Sequence, residues 1–277
     1  MYKRQGRHSE AAGTRGFKLY TPPGASAAAR PLVVMLHGCT QDPDDFAAGT
    51  AMNDLARDQG FYVLYPAQSR DLNPQGCWNW FKHNHQGRAR GEPAVIAGMV
   101  RSILDRHPID PRQVFAAGLS AGGAMAAILG DTHPELFAAI GVHSGLAPGA
   151  AKDLRSALAA MQGARLPAAR APSGKPTIVF HGDADTTVHP SNAHAVVAAA
   201  AGAGNSISVA QRAERGSRPS TVSLHFAPDG RVLAEQWTVH GAGHAWSGGQ
   251  AKGSYADPNG PDASAEMLRF FLEHPLA

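Results

Sequence analysis

The chain carries only two cysteines, Cys39 and Cys77, and only 17% of its 277 residues are charged. Two thiols cannot supply the paired spacings of a tetrahedral zinc site, so a structural zinc module is excluded. No apolar run approaches the roughly 18 residues that would cross a bilayer, so no membrane-spanning helix is expected. Basic residues exceed acidic ones only slightly, 25 against 22, and the arginines are scattered rather than clustered. A nucleic-acid surface would need them grouped. There is no internal repeat and no Ser- or Thr-rich linker, which leaves one domain as the expectation. The opening residues, MYKRQGRH, lack the apolar stretch and cleavage site of a secretory signal. His83 and His85 have no carboxylate or third histidine at helical spacing beside them, and read as solvated loop residues rather than a metal pair.

What is present is a rhythm. Apolar runs bounded by Gly and Pro fall at residues 31–36, 61–65, 114–117, 137–142 and 176–180, and read as strands buried on both faces, the pattern of a parallel sheet. Helical patterns lie between them at 44–59, 92–106, 121–130 and 191–201. Such alternation predicts an α/β fold with a mostly parallel central sheet and helices on both faces. Residues 146–175, rich in Ala, Arg and Pro, read as an excursion over the sheet edge with one helix near 153–161. The turn Pro228-Asp-Gly230 between strand-like runs predicts a β-hairpin. A final helix over 262–274 places Met267, Leu268, Phe271 and Leu272 at helical spacing.

One serine stands out. Residues 118–122, GLSAG, follow a strand-like run and precede a helical one, the setting in which a tight turn projects a nucleophilic hydroxyl. A phosphate-binding glycine turn is the rival, but no Lys-Ser/Thr pair follows and no further glycine falls at dinucleotide-binding spacing. Serine needs a base and an orienting acid. Both follow in the order Ser, Asp, His: HGDADTTV at 181–188 offers Asp183 and Asp185, and HGAGHAWSGG at 240–249 offers His240 and His244. Asp185 is the expected acid, because the Gly182 turn is expected to use Asp183 locally. His244 is the expected base, because His240 still extends the strand. The developing oxyanion needs backbone donors: Ala121 follows the nucleophile, and Gly38 allows the Cys39 amide to turn inward. His37 is then a structural residue of that turn.

These segments, together with LHGCTQ at 36–41 and NPQGCWNW at 73–80, give a chain that resembles the catalytic domain of poly(3-hydroxybutyrate) depolymerases, a family of α/β-hydrolase esterases. The resemblance implies Ser120 as nucleophile, Asp185 as acid, His244 as base, and an oxyanion hole from the amides of Cys39 and Ala121. It also implies a Cys39–Cys77 disulfide, and Trp78, Trp80 and Trp246 as candidates for an apolar cleft wall beside a core role for each. No cofactor and no metal are called for. The expected partner is a polyester or oligoester substrate, with no nucleic acid and no membrane; the oligomeric state is not legible. Related feruloyl and acetylxylan esterases with the same triad are the alternative. Residues 1–15 are expected to be a poorly ordered or truncated lead-in to a single catalytic domain over 16–277. Paired cysteines imply a secreted or periplasmic protein whose export signal lies upstream of Met1, with the cytoplasm as the alternative.

Overall fold

Leu32, Val34 and Leu36 face one side of a strand and Val33 and Met35 the other, and all five are fully buried. That double burial marks a strand in the middle of a covered sheet. The computed structural model describes residues 3–24, 28–164, 172–202, 207–212 and 217–277. Its strands are β1 (Lys3–Glu10), β2 (Gly13–Tyr20), β3 (Arg30–Leu36), β4 (Tyr62–Ala67), β5 (Ile109–Leu119), β6 (Ala139–His143), β7 (Thr177–Gly182), β8 (Ile207–Arg212), β9 (Ser220–Phe226) and β10 (Val232–Val239). They form one sheet in the order β1-β2-β4-β3-β5-β6-β7-β10-β9-β8. The block from β4 to β10 is parallel throughout, and antiparallel strands extend it at both ends.

Helices cover both faces, as expected for an α/β hydrolase. One apolar layer packs α3 (Gly91–Leu104), α4 (Ala121–Thr132) and α6 (Ser191–Ala201) against the sheet. The other packs α1 (Pro43–Thr50), α2 (Met52–Gln59) and α7 (Ala263–Leu272) against the opposite face. The excursion after β6 carries α5 (Leu154–Met161), whose start is fixed by a reciprocal cap between Asp153 and Ser156. Residues 165–171 of that excursion lie outside the described residues.

The structure corrects several sequence expectations. Residues 3–15 are not a loose lead-in: they hold β1 and the start of β2, which pair along their full length as an antiparallel hairpin at the end of the sheet, in register from Lys3↔Tyr20 to Glu10↔Gly13. Their largely polar sequence hid them, because an edge hairpin draws its stability from ladder hydrogen bonds rather than a continuous apolar run. The single helix expected at 44–59 is two helices, broken at Ala51, whose φ is 52°. In α7 the buried stripe includes Phe270, while Leu272 faces solvent. The expected hairpin forms between β9 and β10, with Gly230 at a φ of 83° in its turn.

Candidate active site

The glycines around Ser120 are dictated by close approach. A Cβ on Gly122 would lie 2.0 Å from the Leu36 carbonyl oxygen, and one on Gly118 would lie 2.4 Å from the Gly122 backbone. The β5–α4 turn therefore packs backbone to backbone against the end of β3. Within it Ser120 adopts φ 56° and ψ −118°, a region that non-glycine residues rarely occupy. Its amide donates to the His143 carbonyl at 2.8 Å and its carbonyl accepts from Ala124 at 2.9 Å, so the strained turn is clamped from both sides. Ser120 is only half-buried.

The parallel strands bring the other candidates to the same edge of the sheet. Asp185 follows β7, and His244 follows β10. Asp185 Oδ2 accepts from His244 Nδ1 at 2.7 Å, while its Oδ1 accepts the amides of Thr187 and Val188 at 2.8 and 2.9 Å. A second imidazole flanks this carboxylate: His181 Nε2 donates to the Val188 carbonyl at 2.8 Å and lies 3.4 Å from Asp185 Oδ2. Burial alone would push the Asp185 carboxyl up, but the bonds from His181, His244 and Val188 outweigh it and hold the group well below the usual carboxylate range. Among the described residues, no hydrogen bond joins the Ser120 hydroxyl to His244. Such contacts are often long before substrate arrives.

The rejected pair also meets, but elsewhere. Asp183 accepts from His240 Nδ1 at 2.8 Å and from the Gly241 amide at 2.7 Å, with both side chains substantially exposed. Asp183 thus ties the end of β10 to the β7 turn. It is Asp185, not Asp183, that spends one oxygen on its own local turn.

The Cys39–Cys77 disulfide is present. It holds the loop after β3 against the Cys77 segment, and the Thr40 amide adds a bond to the Gln75 carbonyl. Within that loop Gln41 Oε1 accepts the Gly38 amide at 2.9 Å, while the amides of Cys39 and Ala121 have no acceptor among the described residues. Gly38 lies against the serine turn: a Cβ placed on it would sit 3.7 Å from Ser120 Cβ. His37 is buried, donates from Nδ1 to the Gly38 carbonyl at 2.8 Å, and accepts the Gln68 amide at Nε2 at 3.2 Å. Its burial lowers the pKa, and the imidazole serves the turn.

Of the two roles open to the three tryptophans, cleft wall or core, the structure places all three in the core. Trp78 and Trp246 are fully buried, and Trp80 is nearly so. Trp78 packs against His37, and Trp246 packs between Phe46 and His143 with its indole N–H on Ser264 Oγ at 3.0 Å. His85 is not a solvated loop residue either: it lies 3.4 Å from the buried Glu92 carboxylate, which also accepts from Arg15, Gln68 and Asn79. Among the described residues no cluster of three His, Cys, Asp or Glu side chains could hold a metal ion, and no helix is long and apolar enough to cross a membrane.

Sequence reasoning missed His143, His181, Gln41 and Tyr255. His143 Nε2 accepts the Ser247 amide at 2.9 Å, joining the loop after His244 to the serine turn, and burial pushes its pKa far down. Gln41 lies in the quoted LHGCTQ segment, whereas Tyr255 carries no local signal. A cavity of about 690 Å³ lies away from these residues, among α4, α5 and α6 and lined in part by Lys175 and Asn192.

Residues 15–218 match the family described as Esterase PHB depolymerase. The chain belongs to that family. Its relatives include poly(3-hydroxyalkanoate) depolymerase C of Paucimonas lemoignei, 34% identical over 241 residues that cover 81% of this chain and 57% of that one. Feruloyl esterase B of Thermothelomyces thermophilus is 34% identical over 128 residues, covering 46% of this chain and 43% of its own length. The family member described here thus spans little more than half of the depolymerase. An acetyl xylan esterase structure from Aspergillus awamori superposes with a TM-score of 0.76 at 19% identity, over 98% of this chain and 99% of that one. That likeness is one of fold.

Proposed function

We propose that the chain is a serine-dependent carboxylic ester hydrolase that cleaves hydroxyalkanoate polyesters or their oligomers through an acyl-enzyme. The observation that carries this reading is the buried Asp185–His244 pair at 2.7 Å, on the sheet edge where the strained Ser120 turn projects. His244, held by Asp185 through Nδ1, leaves Nε2 to take the proton as Ser120 Oγ attacks the ester carbonyl. The amides of Cys39 and Ala121 receive the oxyanion, a contribution worth on the order of 3 kcal/mol per donor. His244 then returns the proton to the leaving alcohol. Water, activated by the same imidazole, releases the hydroxy acid and restores the serine.

The family match and the depolymerase relative support the polyester as substrate, and the disulfide supports an oxidising compartment, secreted or periplasmic. A feruloyl or acetylxylan ester is the second reading, favoured by the feruloyl esterase relative. Hydrolysis of 3-hydroxybutyrate oligomers beside methyl ferulate and an acetylated xylan, by the wild type and Ser120→Ala, tests both. Hydroxybutyrate released by the wild type alone supports the proposal. Release of ferulate or acetate with no hydroxybutyrate moves the assignment to the second reading, and an active Ser120→Ala variant overturns the serine mechanism itself.

A further inference from the structure

The tryptophans that were candidates for a cleft wall are buried, and another ring stands beside His244. Among the described residues, Tyr255 is the aromatic side chain in ring contact with His244, edge-on at 6.4 Å between centroids. It is 46% exposed. Its hydroxyl reaches Thr40 Oγ1 at 3.4 Å, and since Thr40 Oγ1 itself donates to the Cys39 carbonyl, Tyr255 is the donor in that contact. The ring therefore bridges the loop that carries the base and the loop that carries the Cys39 amide.

The backbone beneath this ring is tied down at several points. Thr40, Ser120 and Tyr255 have φ values of 65°, 56° and 49°, three of the non-glycine residues held in the left-handed region. The Tyr255 carbonyl accepts the Trp246 amide at 2.7 Å. The preceding Ser254 donates its amide to Asp45 Oδ1 at 2.9 Å, and its carbonyl accepts Gln41 Nε2 at 3.0 Å. Before it, Gly253 approaches α1 so closely that a Cβ there would lie 2.3 Å from the Gly49 nitrogen. A strained, well-anchored backbone that presents a solvent-facing ring is a binding surface already ordered before ligand arrives, and ordering costs are what such surfaces save.

We propose that Tyr255 determines substrate specificity, its exposed ring packing against the aliphatic ester chain beyond the scissile bond. This rests on the serine esterase reading above and goes further by naming the residue that favours a chain over a single ester. The apolar face of the ring suits the methyl and methylene groups of a hydroxyalkanoate unit, so ring area rather than the hydroxyl carries the preference.

The test compares kcat/KM on methyl 3-hydroxybutyrate and on a linear 3-hydroxybutyrate trimer for the wild type, Tyr255→Phe, Tyr255→Ala and Ser120→Ala, with the melting temperature of each. Tyr255→Ala should lower the trimer-to-methyl-ester ratio roughly tenfold, mostly through KM, while Tyr255→Phe keeps a ratio near that of the wild type. Equal losses on both substrates in Tyr255→Ala, or a wild type with no preference for the trimer, would overturn the specificity role while leaving the serine reading intact. Activity surviving in Ser120→Ala would overturn that reading and this inference with it.

Discussion

Asp185 accepts a hydrogen bond from His244 Nδ1 at 2.7 Å with its own side chain fully buried, while two residues earlier Asp183 holds His240 at the surface. The two Asp–His pairs run side by side, and only the inner one is shielded from solvent. Asp185→Asn should therefore lower kcat by roughly 10⁴-fold, the loss seen when an orienting carboxylate becomes an amide. Asp183→Asn should cost far less, since it loosens only a surface tie. The reverse ranking on any hydrolysed ester would reassign the acid.

Ser120→Ala and His244→Ala should each abolish turnover with the fold retained. Members of one proton-transfer unit are strongly non-additive, so the double variant should be little worse than either single one. Circular dichroism and residual rates check this together, and losses that multiply would separate the two residues into independent roles.

Gly122→Ala should destabilise the protein by about 3 kcal/mol, because its Cβ would press on the Leu36 and His37 carbonyl oxygens, which belong to the backbone and cannot turn aside as a flexible side chain can. Gly243→Ala, in the His244 loop, is the control: nothing lies within 4 Å of its Cβ position. Urea midpoints should differ sharply between the two.

The Cys39–Cys77 bond closes a loop with a sequence separation of 38 residues. The chain-entropy model assigns such a loop about 4 kcal/mol. Reduction should lower the melting temperature and should also lower kcat, since the same bond fixes the loop bearing the Cys39 amide. Two titratable thiols in the denatured, unreduced protein would remove the basis for both effects.

Acid should weaken the fold through its buried imidazoles. Burial lowers the pKa of His37 and of His143, and burial with the nearby Arg101 takes His133 to about 4. The unfolded chain takes up these protons near pH ~6.5 while the folded chain does not, so stability is full above that pH and falls as pH drops below it. Asp185, held low, adds its own loss only below about pH 4. Melting temperatures measured from pH 8 to 4 should show the decline beginning near 6.5, and a flat profile down to pH 5 would mean that these imidazoles protonate within the fold.

The strands β3, β4, β5, β6 and β7 were legible from the sequence because each is buried on both faces, and such burial demands a nearly continuous apolar run. The order of serine, aspartate and histidine could be read because a parallel sheet delivers the ends of successive strands to one edge. Strands β1, β2 and β8 left little trace: all six residues of β8 are exposed, and an edge strand is specified by its neighbour's hydrogen bonds rather than by its own side chains. Tertiary structure alone decided that Trp78 and Trp246 fill the core and that Tyr255 stands exposed beside His244, because aromatic residues serve either role and only the surrounding shape selects between them. It also decided which aspartate holds which histidine. Their spacing along the chain allows either pairing, and the choice falls to how two loops, 59 residues apart, turn over the end of the sheet.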